Sequence, residues 1–274
     1  MSSTRSRLLR VGVAIVLIVG AVLVSVPFLW MLAGSVKPES EVLDIPPTLW
    51  PKDFTWDNYV QLFESLDFGI YLGNTLMVVA LSMVGLLLRA MAGYGFAKYD
   101  FPGKGPIYVV VLATMMIPDQ VTMIPTYLIL NQLGLTNTIT GIVLPGLVSA
   151  FSVFLFRQFF TTVPNELLEA ARLDGAGEVR IFLRVVAPLS GPILAIQGVL
   201  TFIASWNSFL WPLIVATDQD RYTLSVGLAL LEGQYASNYG VLMAGAAVMV
   251  LPILVVFVFC QRWVVRGFMM SGLK

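Results

Sequence analysis

The chain has 274 residues, 58% of them hydrophobic and only 12% charged, with Lys+Arg and Asp+Glu balanced at 16 each. Soluble domains carry about 25% charged residues, so this composition, with its long apolar runs, reads as a polytopic integral membrane protein. Histidine is absent and the one cysteine, Cys260, lies in the last apolar run. That excludes disulfide frameworks, His/Cys metal sites and Ser-His-Asp or Cys-His nucleophile systems.

Six spans are predicted, near 11–33, 70–97, 106–130, 138–160, 186–216 and 239–264. The first follows Arg5, Arg7 and Arg10, as a cleaved signal would. Its apolar run, Val11 to Leu32, exceeds the 7–15 residues of a signal core and reads as a retained span. The segment after it, about 34–69, is acidic and carries Pro46, Pro47 and Pro51. In it Trp56, Tyr59, Leu62 and Phe63 share one helical face. Such a face suits either an interfacial helix bracing the bundle or contact with a ligand-delivery protein.

The second span contains Arg89, about two turns before its end. This cation either snorkels toward lipid phosphates or faces a water-filled cavity. The third span is interrupted by Pro118 and Pro125, each of which removes a backbone hydrogen bond. Asp119 follows the first of these prolines. Its carboxylate would either accept hydrogen bonds from sugar hydroxyls or cap the freed backbone groups. No internal repeat is evident, so an inverted-repeat transporter has no support.

With the N-terminus inside, the cytoplasmic segments hold Arg5, Arg7, Arg10, Lys98, Lys104, Arg157, Arg172, Arg180, Arg184, Arg262, Arg266 and Lys274. The opposite side holds Lys37, Lys52 and Arg221. This imbalance predicts that both termini are cytoplasmic.

Between the fourth and fifth spans, at 161–185, lies a polar loop with a helical pattern. Pro164 suits the first helical position, and Glu166 and Glu169 complement the helix dipole. Leu167, Leu168 and Ala171 make a small apolar stripe, and Gly175 suits the left-handed residue that ends a helix. A second helix begins near Gly177, includes Ile181, Phe182, Val185 and Val186, and runs toward Pro188. Helix, glycine turn and a second helix continuous with a span would make a lever. An ordinary amphipathic loop lying on the membrane has the same pattern.

Glu169, Ala170 and Ala171, then Asp174, Gly175 and Ala176, then Phe182, Pro188 and Pro192 resemble the EAA loop of ABC-importer permeases. Asn74-Thr75-Leu76, Gly93 to Lys98, Phe101 to Lys104, Pro118 to Val121, Leu133 to Thr138, Trp206 to Leu213 and Gln261-Arg262 extend the likeness over nearly the whole chain. Together they resemble the carbohydrate-uptake branch, the maltose-transporter-type second permease subunit. The C-terminal residues 267–274 fit that family's pattern only in part.

The resemblance implies an all-α membrane fold of the type I ABC-importer permease kind, with six transmembrane helices and a cytoplasmic coupling helix. It implies a bacterial or archaeal inner-membrane protein that is not itself an enzyme. Its partners would be a second permease, two ATPase subunits and an extracytoplasmic sugar-binding protein, with lipid around it and no nucleic acid. Glu169, Ala170, Ala171, Asp174, Gly175 and Ala176 would couple it to the ATPase. No Walker A pattern is present: Phe101 to Gly105 has a Gly-Lys pair but neither the upstream glycine nor the following Ser/Thr. ATP and Mg²⁺ are therefore expected on the partner, with no cofactor in this chain.

Sugar sites pair aromatic faces with amides or hydroxyls. Trp206, Asn207 and Trp211, with Asn74, Gln120 and Asp119, are the candidate pathway residues, although Trp and Asn also serve packing and interface anchoring. Family relatives carry disaccharides, oligosaccharides and glycerol phosphate esters, and the scarcity of in-span cations leans toward a neutral sugar. The competing readings are a secondary transporter driven by an ion gradient, weakened by the lack of in-span carboxylates other than Asp119, and a membrane enzyme or scaffold, which nothing specific favours.

Overall fold

The computed structural model describes residues 2–234 and 238–271, with side chains described for 9–231, 233 and 238–263. The helices in chain order are α1 (Ser2–Gly34), α2 (Glu39–Val42), α3 (Asp57–Ser65), α4 (Phe68–Lys98), α5 (Lys104–Thr114), α6 (Asp119–Gln132), α7 (Ile139–Val143), α8 (Ala150–Phe160), α9 (Asn165–Leu173) and α10 (Glu178–Ile181). They continue with α11 (Ala187–Leu189), α12 (Gly191–Trp206), α13 (Leu210–Val215), α14 (Leu224–Gln234) and α15 (Tyr239–Ser271). Among the described residues there is no strand.

Among the described residues, three stretches are long and apolar enough to cross a membrane in one helix: Leu9–Gly34, Phe68–Lys98 and Tyr239–Trp263. Three further stretches are bent pairs: Lys104–Thr114 with Asp119–Gln132 at 103°, Ile139–Leu147 with Ala150–Phe160 at 43°, and Glu178–Leu189 with Gly191–Trp206 at 86°. The breaks have local chemical causes. Pro118 has no N–H to continue α5, and it sits extended at φ −60° and ψ 136°. Pro125 lies inside α6, so of the two prolines only the first interrupts the helix. Between α7 and α8, Ser149 is extended and its hydroxyl accepts from the Ser152 N–H at 3.4 Å, capping α8.

The chain divides into two compact units, 1–67 with 228–251 and 68–227 with 252–274. In the first unit α1 is exposed on every face from residue 9 to residue 29, as a helix surrounded by lipid would be. Leu62, Leu231, Val241 and Ala244 form its small core. The acidic segment after α1 is organised around a buried ion pair, Lys37 with Glu41 at 3.5 Å. Glu41 also accepts from the Lys52 N–H at 3.0 Å and from the Thr48 hydroxyl at 3.0 Å. Glu39 accepts from the Tyr239 and Gly240 N–H groups at 3.2 and 3.0 Å, where its charge complements the start of α15. On α3, Leu62 points into the core while Phe63, and Trp56 at the N-cap, remain exposed. The Tyr59 hydroxyl bonds that of Ser35 at 2.9 Å, so this helix braces the end of α1.

In the second unit α4 is the central helix, packed along α8 and α12. Gly93 permits the closest approach: a Cβ there would lie 2.5 Å from Phe156 Cβ and 2.9 Å from the Arg157 backbone nitrogen. Arg89 is buried at this contact. Its guanidinium donates to the carbonyls of Gly85 and Ser82, each at 3.1 Å, and to the Ser152 hydroxyl at 3.4 Å. It is therefore packed inside the unit, neither snorkelling nor lining open space.

Because the atoms facing Gly93 are partly backbone, a methyl group there cannot be relieved by a side-chain rotation. Gly93→Ala is expected to cost about 1–3 kcal/mol. The check is a lowered thermal unfolding midpoint in detergent; an unchanged midpoint would contradict the close packing.

Candidate functional site: the helix–glycine–helix loop

The loop at 161–189 is built on a hydrophobic cluster. Leu168 of α9, Ile181 of α10, and Phe182 and Val186 just beyond it are buried together with Tyr94 of α4 and Phe156 and Phe160 of α8. Tyr94 stands at the centre, with ring centroids 5.7 Å from Phe160 and 5.4 Å from Phe182. Burying these side chains supplies the driving force that holds a polar loop in a defined place.

The helix α9 starts one residue later than the sequence suggests. Pro164 is its N-cap, in extended conformation, and Asn165 is the first helical residue. Its other end is a Schellman turn. The Ala176 N–H bonds the Ala171 carbonyl and the Gly175 N–H bonds the Arg172 carbonyl, both at 3.0 Å. Gly175 itself has φ +78°, the left-handed conformation that costs an L side chain roughly 1–2 kcal/mol. With Leu168 turned inward, Glu166, Leu167, Glu169 and Ala170 form the exposed face, while Ala171 and Ala176 are half-buried. Asp174 and Gly175 are exposed.

Beyond the turn the structure departs from a straight lever. After α10, residues Phe182–Val186 form a π-helical turn, and the chain then bends by 86° at Ser190. The Ser190 hydroxyl donates to the Val186 carbonyl at 2.6 Å, a back-bond that bends helices. Pro192, at the start of α12, has no N–H with which to continue the earlier helix. The second helix is thus not collinear with the long helix α12.

Polar contacts tie the loop to the end of α4. Lys98 donates to the Val163 carbonyl at 2.5 Å and to Asn165 Oδ1 at 2.8 Å. Arg172 forks onto Glu178 with contacts of 2.8 and 3.3 Å, closing the turn around Gly175. The Tyr99 hydroxyl donates to the same carboxylate. The Arg172 guanidinium and the Tyr99 hydroxyl hold the Glu178 carboxyl below its ordinary value. Burial, together with that carboxylate neighbour, pushes the Tyr99 phenol above the usual range. Sequence reading missed Tyr99 and the Arg172–Glu178 pair. The available signal was opposite charges flanking a glycine turn.

The candidate pathway residues separate into two groups. Asn74 is buried and donates to the Asp220 and Tyr222 carbonyls at 2.8 and 2.9 Å. Trp211 donates its indole N–H to the Ile142 carbonyl at 3.0 Å. Trp206 is buried and stacked on Phe202 at 5.6 Å. These three are engaged in packing. Asp119 and Gln120, in the first turn of α6, and Asn207, at the end of α12, are exposed. The N-cap of α6 is Pro118, in extended conformation, and Asp119 is the first helical residue.

The fold matches, with a TM-score of 0.82 and 23% sequence identity, a chain from the crystal structure of a bacterial ABC transporter involved in the import of the acidic polysaccharide alginate. The match covers 96% of this chain and 98% of that one, which makes this an ABC-importer permease fold. The family model "Binding-protein-dependent transport system inner membrane component" matches residues 85–269, and the chain belongs to that family. Among its relatives is the arabinooligosaccharides transport system permease protein AraQ of Halalkalibacterium halodurans, 37% identical over 98% of this chain and 96% of that protein. Another is the diacetylchitobiose uptake system permease protein NgcG of Streptomyces coelicolor, 36% identical over 90% of this chain and 83% of that protein.

The depressed Glu178 pKa gives the closed turn a definite pH dependence. Its stabilisation is fully present above the ordinary carboxylate value and is lost as pH falls through the depressed one. Carboxyl-labelled NMR should find Glu178 titrating below the ordinary glutamate value, and Arg172→Gln should raise it. An unshifted resonance would contradict the paired geometry.

Proposed function

We propose that this chain is one of two permease subunits of an ATP-driven sugar importer. It forms half of the translocation path and takes up the motion of a separate ATPase through residues 164–186. The observation that carries this reading is the α9 turn: a short helix seated on α4 and α8 by Leu168, ended by a left-handed glycine, and presenting Glu169 and Ala170 outward. Such an exposed helix on a packed base suits docking into a soluble subunit. Glu169, Ala170, Ala171, Asp174, Gly175 and Ala176 are assigned to that contact.

The three long helices, the bent pairs at 104–132 and 139–160, and the stretch from the Ser190 bend through α12 support six crossings. The basic residues then favour both termini and the α9 loop on the cytoplasmic side. ATP and Mg²⁺ belong to the ATPase, and an extracytoplasmic binding protein delivers the sugar from the other face.

The substrate class follows the relatives named for arabinooligosaccharides and diacetylchitobiose. A neutral saccharide fits a chain whose Arg89 is committed to two carbonyls and a serine. Among the candidate pathway residues, Asp119, Gln120 and Asn207 are preferred for sugar contact. They lie at helix breaks and are exposed, whereas Asn74, Trp206 and Trp211 are held by packing.

Glu169→Lys and Gly175→Pro are expected to insert normally yet lower sugar uptake at least tenfold. Proline fixes φ near −65°, which a left-handed turn does not allow. A tagged wild-type chain isolated in mild detergent should bring with it a P-loop ATPase and a second permease, and the two variants should recover less ATPase. Wild-type uptake by both variants would end the coupling reading.

A further inference from the structure

We propose that Tyr99, Glu178 and Arg172 are positioning residues that pass the motion of α9 into the α4–α8 pair, so that the second span takes up the displacement. The inference rests on the coupling reading above and adds the route by which force leaves the loop.

The connection along the chain is a poor transmitter. Between α10 and α12 stand a π-helical turn at Phe182–Val186 and an 86° bend at Ser190. A push along α10 meets α12 nearly at right angles. The lateral connection is shorter and built from directional bonds. Glu178 follows the glycine turn and holds Arg172 on one side of it and Tyr99, the residue after α4, on the other. Lys98 adds a second tie, to Val163 and Asn165 at the start of α9. The start of α9 is therefore bonded to Lys98 directly, and its end is tied to Tyr99 through Glu178.

What lies beneath the joint is stiff. Tyr99 meets Tyr94 edge-on at 5.5 Å, and Tyr94 is wedged among Phe160 and Phe182. One turn region away Gly93 brings α4 against the backbone of α8. A displacement of Tyr99 thus moves α4 and α8 together, because a close-packed interface transmits strain. The Arg172 and Glu178 side chains are 41% and 45% exposed. Exposed pairs add little to stability, so substituting them should leave the fold in place and isolate their effect on motion.

The test needs no knowledge of the sugar. The complete complex, purified with its partner subunits through a tag on this chain carrying Cys260→Ser, is placed in liposomes. A reporter, Gly73→Cys, is introduced toward the far end of α4, where an added Cβ meets nothing within 4 Å. Its labelling by an impermeant maleimide is timed with and without ATP and vanadate. In the otherwise unchanged chain the rate should differ at least threefold between the two conditions. In Tyr99→Phe and in Glu178→Ala the difference should vanish while the ATPase still co-purifies. A difference retained in both variants overturns the joint. No difference in the parent, with ATPase present, overturns the claim that the second span moves. Absence of an ATPase from the parent preparation is the separate failure of the coupling reading itself.

Discussion

The contact on which the loop depends is the burial of Leu168, Ile181 and Val186 against Phe156, Phe160 and Tyr94. Without it, residues 161–189 would be a polar connection free to lie anywhere on the membrane surface. With it, one face of α9 is fixed and the opposite face is necessarily presented outward. The Schellman turn at Gly175 and the Arg172–Glu178 fork are then local completions of a geometry that the apolar contacts have already set. The order of magnitudes agrees: each fully buried aliphatic or aromatic side chain is worth about 1.5–3 kcal/mol, whereas an exposed ion pair is worth less than about 1 kcal/mol.

The bent helix pairs express a second constraint. A membrane helix can be interrupted only where its freed backbone groups find partners or face water. At Pro118 the chain turns through an extended residue, and at Ser190 a hydroxyl occupies the carbonyl of Val186. At Asn207 the helix ends with the residue's own N–H bonded back to Ile203 at 3.0 Å. These breaks leave the polar side chains of Asp119, Gln120 and Asn207 exposed, while regular packing has absorbed the larger aromatic candidates.

The apolar runs, the short helix and the left-handed glycine were legible in the sequence because each rests on a local rule. Hydrophobic length defines a span, and a glycine after an amphipathic stretch defines the stop. The destinations of polar side chains were not legible. Asn74 bonds carbonyls 146 and 148 residues further on, and Glu39 bonds N–H groups 200 and 201 residues further on. Nothing near either residue announces this. The bend at Ser190 was likewise hidden, since no local pattern announces that its hydroxyl will bond back to the Val186 carbonyl. The acidic segment after α1 gave no sign of which carboxylate would be enclosed; the structure buries Glu41 beside Lys37.

The bonds of Asn74 also bear on how the protein is made. Its amide N–H groups are satisfied by the carbonyls of Asp220 and Tyr222, and Leu224 N–H is satisfied by the hydroxyl of its neighbour Thr75. Asn137 similarly waits for the 217–218 backbone. Chains emerge from the ribosome at roughly 5–20 residues per second, and segments synthesised first find their partners first. The α4 and α8 helices can therefore pair early, at the Gly93 contact, while the Asn74 end of the same helix stays incomplete until the chain has grown on through Asp220 and Tyr222. The end that carries the α9 loop is assembled first, and the opposite end is sealed last, by two asparagines.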